Sequence, residues 1–162
     1  MPSGLNGIDF MPPAVRDSHM QLALAQARRA GERGEVPVGA VVVAADGTVL
    51  AAAGNRTREL SDPTAHAEVL AIREACAHLR AERLVDCDLY VTLEPCPMCA
   101  AALSFARIRR LYYGASDAKG GGVEHGARVF AQATCHHAPE IYDGIDAAAS
   151  TAILKAFFGD RR

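Results

Sequence analysis

From Ala14 to about Ala30 the apolar side chains return at helical spacing, with Met20, Ala23, Leu24 and Ala27 on one face, and Gly31 ends the pattern. An amphipathic first helix is expected there. The period then changes. Pro37 to Ala45 is a continuous apolar run, Asp46-Gly47 is a hairpin signal and Thr48 to Ala53 is a second run, which predicts two antiparallel strands. Asp62-Pro63 reads as an N-cap followed by a first helical residue, opening a second helix just before His66 with Val69, Ile72, Cys76 and Leu79 as its apolar stripe. Asp88 to Glu94 alternates as a strand does. Pro97 opens a third helix with Met98, Ala101, Ala102 and Phe105 on its buried face. Arg109 to Tyr113 is a further strand, Gly120-Gly121-Gly122 a loop, Glu140 to Tyr142 a short strand and Asp146 to Phe158 an Ala-rich closing helix.

This order predicts an α/β fold of three layers, α/β/α, with a mixed sheet of about five strands covered by helices on both faces. The strand-helix-strand units favour parallel pairing of the later strands. No internal repeat or boundary divides the chain, so one domain is expected over residues 14–162, after a Pro- and Gly-containing, flexible lead-in over residues 1–13. Composition agrees: of 162 residues 50% are hydrophobic and 22% charged, a globular balance rather than a disordered one. No window approaches the roughly 18 to 20 apolar residues of a membrane span, and no basic-then-apolar segment opens the chain, so a cytoplasmic protein without membrane contact is expected. The net charge of -2 excludes a global positive field for nucleic acid. The excess of 15 arginines over 2 lysines follows from a GC-rich genome as readily as from RNA binding. Five cysteines, odd in number and scattered, make a poor disulfide framework, and the one C-x-x-C pair, Cys96 and Cys99, points to metal or redox chemistry.

His66-Ala67-Glu68 and Pro95-Cys96-Pro97-Met98-Cys99 together supply one imidazole, two thiols and one carboxylate. Structural zinc sites close their tetrahedron with four protein ligands, whereas catalytic ones keep three and leave the fourth position to water. His66 and Glu68 stand some 200° apart around a helix, so both reach one target only if it lies beyond the helix N-terminus, in the direction that first-turn side chains lean. The expected N-cap at Asp62 puts them in that turn. With Pro97 starting the third helix between the thiols, two positive dipole ends favour thiolate. Zinc held this way lowers the pKa of a bound water from 15.7 to about 7, and Glu68, not needed as a ligand, can carry a proton. The class of reaction is hydrolytic attack on an electrophilic carbon.

The bland alternatives differ in weight. A buried histidine, a capping glutamate and a chance C-x-x-C do not account for both halves falling at helix starts. Cys76 reads as core, Cys87 has no motif, and Cys135 beside His136 and His137 lacks a partner pair for a second metal. On local sequence alone Asn55 reads as a turn residue and Asp117 as a loop cap. Phe157 is in register with Ile153 and Phe158 with Leu154, so one core and one exposed ring are expected.

The H-x-E and P-C-x-x-C pair resembles the signature of the zinc nucleoside and nucleobase deaminases. A longer set of segments is similar to the bacterial tRNA adenosine deaminase family: Glu35 to Val41, Gly54-Asn55-Arg56, Asp62 to Glu68, Tyr90 to Cys96, Ser104 to Ile108, Gly114 to Lys119, His136-His137 and Phe157-Phe158. The similarity runs from about His19 to Arg162. It implies a cytidine deaminase-like fold, one Zn2+ per subunit on His66, Cys96 and Cys99, and Glu68 as the proton shuttle while hydroxide adds to C6 of adenine. It also implies a base pocket lined by Val36, Pro37, Asn55 and the Ala67 backbone, with Asp117 at the neighbouring nucleotide's sugar. Phe157, Phe158, Arg161 and Arg162 would flank a tRNA anticodon stem-loop, and a homodimer would bring Arg107, Arg109 and Arg110 to RNA near the subunit seam. The first dozen residues exceed the family's pattern, and the tail Gly159-Asp160-Arg161-Arg162 is expected to be only modestly basic. Two competing readings remain: a free nucleobase or nucleoside deaminase (guanine or cytosine) using the same zinc chemistry, and a noncatalytic zinc module binding RNA or protein, which has no use for Glu68.

Overall fold

The structure, a computed structural model, describes residues 13–159. Residues 1–12 of the expected lead-in lie outside the described residues, as do Arg161 and Arg162. Helix α1 (Pro13–Glu32) buries the expected face completely, with Met20, Ala23, Leu24 and Ala27 all at 0% exposure. The apolar runs become β1 (Gly39–Val43) and β2 (Val49–Gly54), joined by a turn in which Gly47 takes φ 90°. Helix α1 lies directly on β1: a Cβ at Gly39 would sit 2.7 Å from the Ala27 amide nitrogen and collide with the Ala23 carbonyl oxygen. Only glycine lets the two backbones touch.

The remaining elements are α2 (Ala67–Leu79), β3 (Asp88–Leu93), α3 (Pro97–Ala106), β4 (Arg110–Ala115), a 3-10 turn at Val129–Ala131, β5 (Glu140–Tyr142) and α4 (Ala147–Gly159). The five strands form one sheet in the order β2-β1-β3-β4-β5. β1 runs antiparallel to β2 and β3, while β3–β4 and β4–β5 are parallel. The mixed three-layer sheet expected from the element order is therefore present. Strand alternation sorts the core into two: Ala40, Val42, Leu89, Val91, Leu111 and Tyr113 pack against α2 and α3, and Val41, Val43, Tyr90 and Tyr112 against α1 and α4. On the latter face Tyr90, Tyr112 and Tyr142 stand opposite one another in register and stack at 4.3 and 5.0 Å.

Two local expectations are corrected. The second helix does not begin at Asp62, because the Asp62 carboxylate turns back on Thr64, accepting from its amide at 2.9 Å and its hydroxyl at 2.7 Å. That Asx turn satisfies the side chain locally. The helix starts four residues later, with His66 as N-cap. The apolar stripes expected for α2 and α3 do not provide the main contact with the sheet: Val69, Ile72 and Cys76 are half-buried against the margin of the core, and Leu79, Met98 and Phe105 are exposed. Against the sheet α2 sets Ala67, Ala71 and Ala75, and α3 sets Cys99, Ala100, Leu103 and Ala106. Leu79 is 44% exposed, Met98 37% and Phe105 73%. Small side chains let the helices approach the sheet closely, leaving the bulkier side chains at the margin of that contact or beyond it. Val69, Ile72, Ala102 and Phe105 there line an open groove of about 480 Å3.

Candidate active site

Three chain segments meet at the end of the sheet where β2 and β3 stop. β2 ends at Gly54 and hands over to Asn55; β3 ends at Leu93 and runs through Glu94 and Pro95 into Cys96; His66 precedes α2. His66 and Cys96 occupy the same position on their respective helices. Each is the N-cap, in extended backbone (φ -73°, ψ 152° and φ -69°, ψ 170°), and neither side chain caps its own helix. Freed from capping, both point ahead of the helices. This resolves the awkward spacing of His66 and Glu68, since His66 is outside the helix and Glu68 inside its first turn.

Another side chain does the capping for α2. Asn55 Oδ1 accepts the Ala67 amide hydrogen at 2.7 Å, with both residues buried. α3 begins with Pro97, which has no amide hydrogen to satisfy.

His66 Nδ1 lies 3.6 Å from Cys96 Sγ and 3.4 Å from Cys99 Sγ. Among the described residues this is the one His/Cys/Asp/Glu group whose ligand atoms could share a metal, all within 4.8 Å of one another. The donor set fits zinc. Bond lengths of about 2.3 Å to sulfur and 2.0–2.1 Å to nitrogen at the tetrahedral angle require a nitrogen-to-sulfur separation of about 3.6 Å. A hydrogen bond from Cys99 pulls the Cys96 thiol down to about 4, with burial opposing and His66 assisting. Cys99, as that donor and as a buried group, is pushed up. His66 is raised, chiefly by its hydrogen bond to Cys96. Protons are thus held where a divalent cation would displace them.

Glu68 is 4% exposed and its carboxyl is raised to about 7. Burial is the main cause; its own helix amide opposes, the Cys96 charge adds, and His66 and a hydrogen bond with Cys99 oppose. A carboxyl that gains and loses a proton near neutrality beside the ligand group suits acid and base work.

The remaining expected residues are placed unevenly. Pro37 is buried and Val36 37% exposed, next to Asn55 through the Asn55 amide's bond to Val38 O. Asp117 caps its own loop, its Oδ1 accepting from the Lys119 and Gly120 amides at 3.1 and 2.9 Å. Phe158 is 53% exposed and lines a cleft of about 300 Å3 with Ser116, Thr151 and Lys155, whereas Phe157 is half-buried and meets Phe158 edge-on at 5.2 Å. Arg109 and Arg110 are engaged internally, Arg109 in a two-point pair with Asp88 at 3.0 and 3.1 Å and Arg110 with Glu140 at 3.1 Å. The Arg107 guanidinium donates to Ser104 O at 2.8 Å. Cys76 packs against the core, and Cys135 Sγ donates to His137 O.

Sequence reasoning missed Glu94. This 2% exposed carboxylate, two residues before Cys96, accepts from the Asp117, Val123, Glu124 and His125 amides and pairs with the His125 ring. A charged residue directly after the last apolar residue of the strand, and two before Cys96, was the available signal.

Residues 14–115 match the family model for the cytidine and deoxycytidylate deaminase zinc-binding region. A tRNA-specific adenosine deaminase of Agrobacterium fabrum is 63% identical over 149 residues, 92% of this chain and 97% of that protein. One from Rickettsia bellii is 48% identical over 86% of this chain and 97% of its own length. A solved structure from work on A-to-I editing by tRNA:A34 deaminases at the wobble position of transfer RNA superposes with a TM-score of 0.83 at 65% identity, covering 85% of this chain and 99% of that one.

Proposed function

The chain belongs to the cytidine and deoxycytidylate deaminase zinc-binding family and, within it, to the tRNA-specific adenosine deaminases, and from that premise we propose that it deaminates adenosine to inosine at the wobble position of a tRNA anticodon loop. It is a zinc-dependent deaminase. The observation that carries the reading is the pairing of a three-donor group with a separate carboxyl raised to about 7.

His66, Cys96 and Cys99 hold one zinc per subunit. The bound ion supplies Lewis acidity that makes water nucleophilic at neutral pH. Glu68 takes a proton from the attacking water and passes it to N1 of adenine as oxygen bonds to C6. It then carries the second water proton to the departing amine, so that adenosine and water give inosine and ammonia. Asn55 has its Oδ1 occupied by α2, which leaves its Nδ2 donors for the base. Val36, Pro37 and the Ala67 backbone complete the base pocket, and Asp117 meets the sugar of the adjoining nucleotide. Phe158 stacks on an anticodon-loop base with Phe157 behind it; Arg161 and Arg162, outside the described residues, extend the basic flank.

The deaminase domain spans residues 14–162 and works as a homodimer. The apolar groove lined by Val69, Ile72, Ala102 and Phe105, with Phe105 73% exposed, supplies a surface for a second copy. A cytoplasmic location without membrane contact suits a tRNA substrate, and among the described residues no helix is long and apolar enough to cross a membrane.

The test is incubation of the zinc-loaded chain with tRNA and with free adenosine, guanine and cytosine, followed by assays for inosine and ammonia. Inosine formed at the wobble position is expected. Turnover of a free base with inert tRNA overturns the substrate, and no ammonia from any of them overturns the enzyme.

A further inference from the structure

Glu94 takes no part in the chemistry above, yet its carboxylate is the most heavily used acceptor beside the site. Oε2 receives three consecutive amides, Val123 at 3.2 Å, Glu124 at 3.0 Å and His125 at 3.1 Å. Oε1 receives the Asp117 amide at 3.0 Å and His125 Nδ1 at 2.8 Å. An ionised carboxylate offers about four lone-pair sites, so five donors fill it. Both ends of the segment 117–125 are held by this one side chain.

The backbone around Glu94 is tied to the same segment. The Glu94 amide donates to Ala115 O at 2.8 Å, and Pro95 O accepts from the Gly122 amide at 2.8 Å. A Cβ on Gly121 would run into Glu94 Oε2 and lie 2.5 Å from the Asp117 carbonyl oxygen, and one on Gly122 would lie 2.5 Å from Pro97 N. No helix or strand intervenes between Ala115 and Val129, so these bonds supply the placement that regular structure would otherwise provide. The residue that receives them stands two positions before a zinc thiol.

We propose that Glu94 is a positioning residue that holds the loop 117–125, and through it Asp117, in register with Cys96 and the bound nucleotide. It touches neither metal nor substrate. The proposal rests on the reading of Asp117 as a contact to the nucleotide beside the target adenosine. Glutamine cannot replace Glu94, because its –NH2 would face amide donors at one or other of the two acceptor positions.

The experiment uses the zinc-loaded full chain and a synthetic anticodon hairpin with adenosine at the wobble position. Glu94→Gln, Asp117→Ala and the double variant are compared with Gly121→Ala, which presses the loop off an intact Glu94. Expected are unchanged zinc content, cooperative melting, a KM for the hairpin raised about tenfold or more with kcat within about threefold, and no further KM effect of Glu94→Gln once Asp117 is alanine. Additive effects overturn the proposal, as does a loss carried by kcat or zinc content with KM unchanged. Should Glu94→Gln fail to fold, Gly121→Ala with and without Asp117→Ala makes the same comparison. Failure of the wild-type chain to turn over the hairpin overturns the deaminase reading instead, before any variant is compared.

Discussion

Asn55 carries two jobs that one pair of substitutions separates. Its Oδ1 satisfies the Ala67 amide at 2.7 Å in a place where Asn55 is 8% exposed and Ala67 0%, so water cannot replace it. Asn55→Ala leaves that buried donor unpaired, a cost of about 1–3 kcal/mol. Taking about 2 kcal/mol, a domain of this size loses roughly 4–8 °C in Tm. Asn55→Asp keeps an acceptor of the same shape and places its charge at the positive end of α2, so it should lose less than half as much. It nevertheless removes the Nδ2 donors offered to the base. The assay is thermal melting by circular dichroism beside inosine formation on the hairpin. Alanine should lose stability and turnover together, and aspartate turnover with less than half of alanine's loss of stability. Melting of Asn55→Ala within about 1 °C of wild type would refute the capping argument; full turnover by Asn55→Asp would refute the donor's role.

Glu68→Gln should lower ammonia release by about two to four powers of ten with zinc content unchanged, as read by single-turnover kinetics and metal analysis. For Glu35 and Glu94, burial pushes each carboxyl up but amide donors outweigh it, those of Glu59 and Arg58 for Glu35 and of Asp117, His125 and Val123, with the His125 ring, for Glu94, so both rest below the ordinary 4.5. Their stabilisation is therefore present above that value and lost as pH falls through the lower folded one; urea midpoints should drop steeply below about pH 4, and Glu35→Gln should flatten the drop. Phe158→Ala should weaken hairpin binding by about 1–3 kcal/mol, roughly 5- to 150-fold in Kd by fluorescence anisotropy, whereas Phe157→Ala should mainly lower Tm.

Elements whose signals are local were legible. The α1 face from Met20 to Ala27, the Asp46-Gly47 hairpin and Pro97 at the start of α3 depend on residues adjacent in sequence, and each stands as expected. What was illegible depended on partners far along the chain. Asp62 looked like a cap because nothing near it announced that Asn55, twelve residues upstream of Ala67, would do the capping. Helical periodicity marks the stripes of α2 and α3 as apolar but cannot tell the residues that touch the sheet, here the small ones, from bulkier ones at its margin or beyond. Glu94 was passed over because its donors come from a loop 23 to 31 residues later. His66, Cys96 and Cys99 were readable because metal chemistry restricts residue types more tightly than packing does.

His66 and Cys96 are 30 residues apart and reach each other only when β3 has paired with β1 and both helix starts have docked. Among the described residues no local segment brings all three ligands together, so a complete site forms only after the sheet does, and the ion is a poor nucleus around which to organise the polypeptide. Zinc concentration should accordingly leave the refolding rate unchanged and slow unfolding alone. On the same reasoning the metal would be fitted to a finished molecule, and a shortage of zinc would accumulate folded, inactive protein rather than misfolded chain.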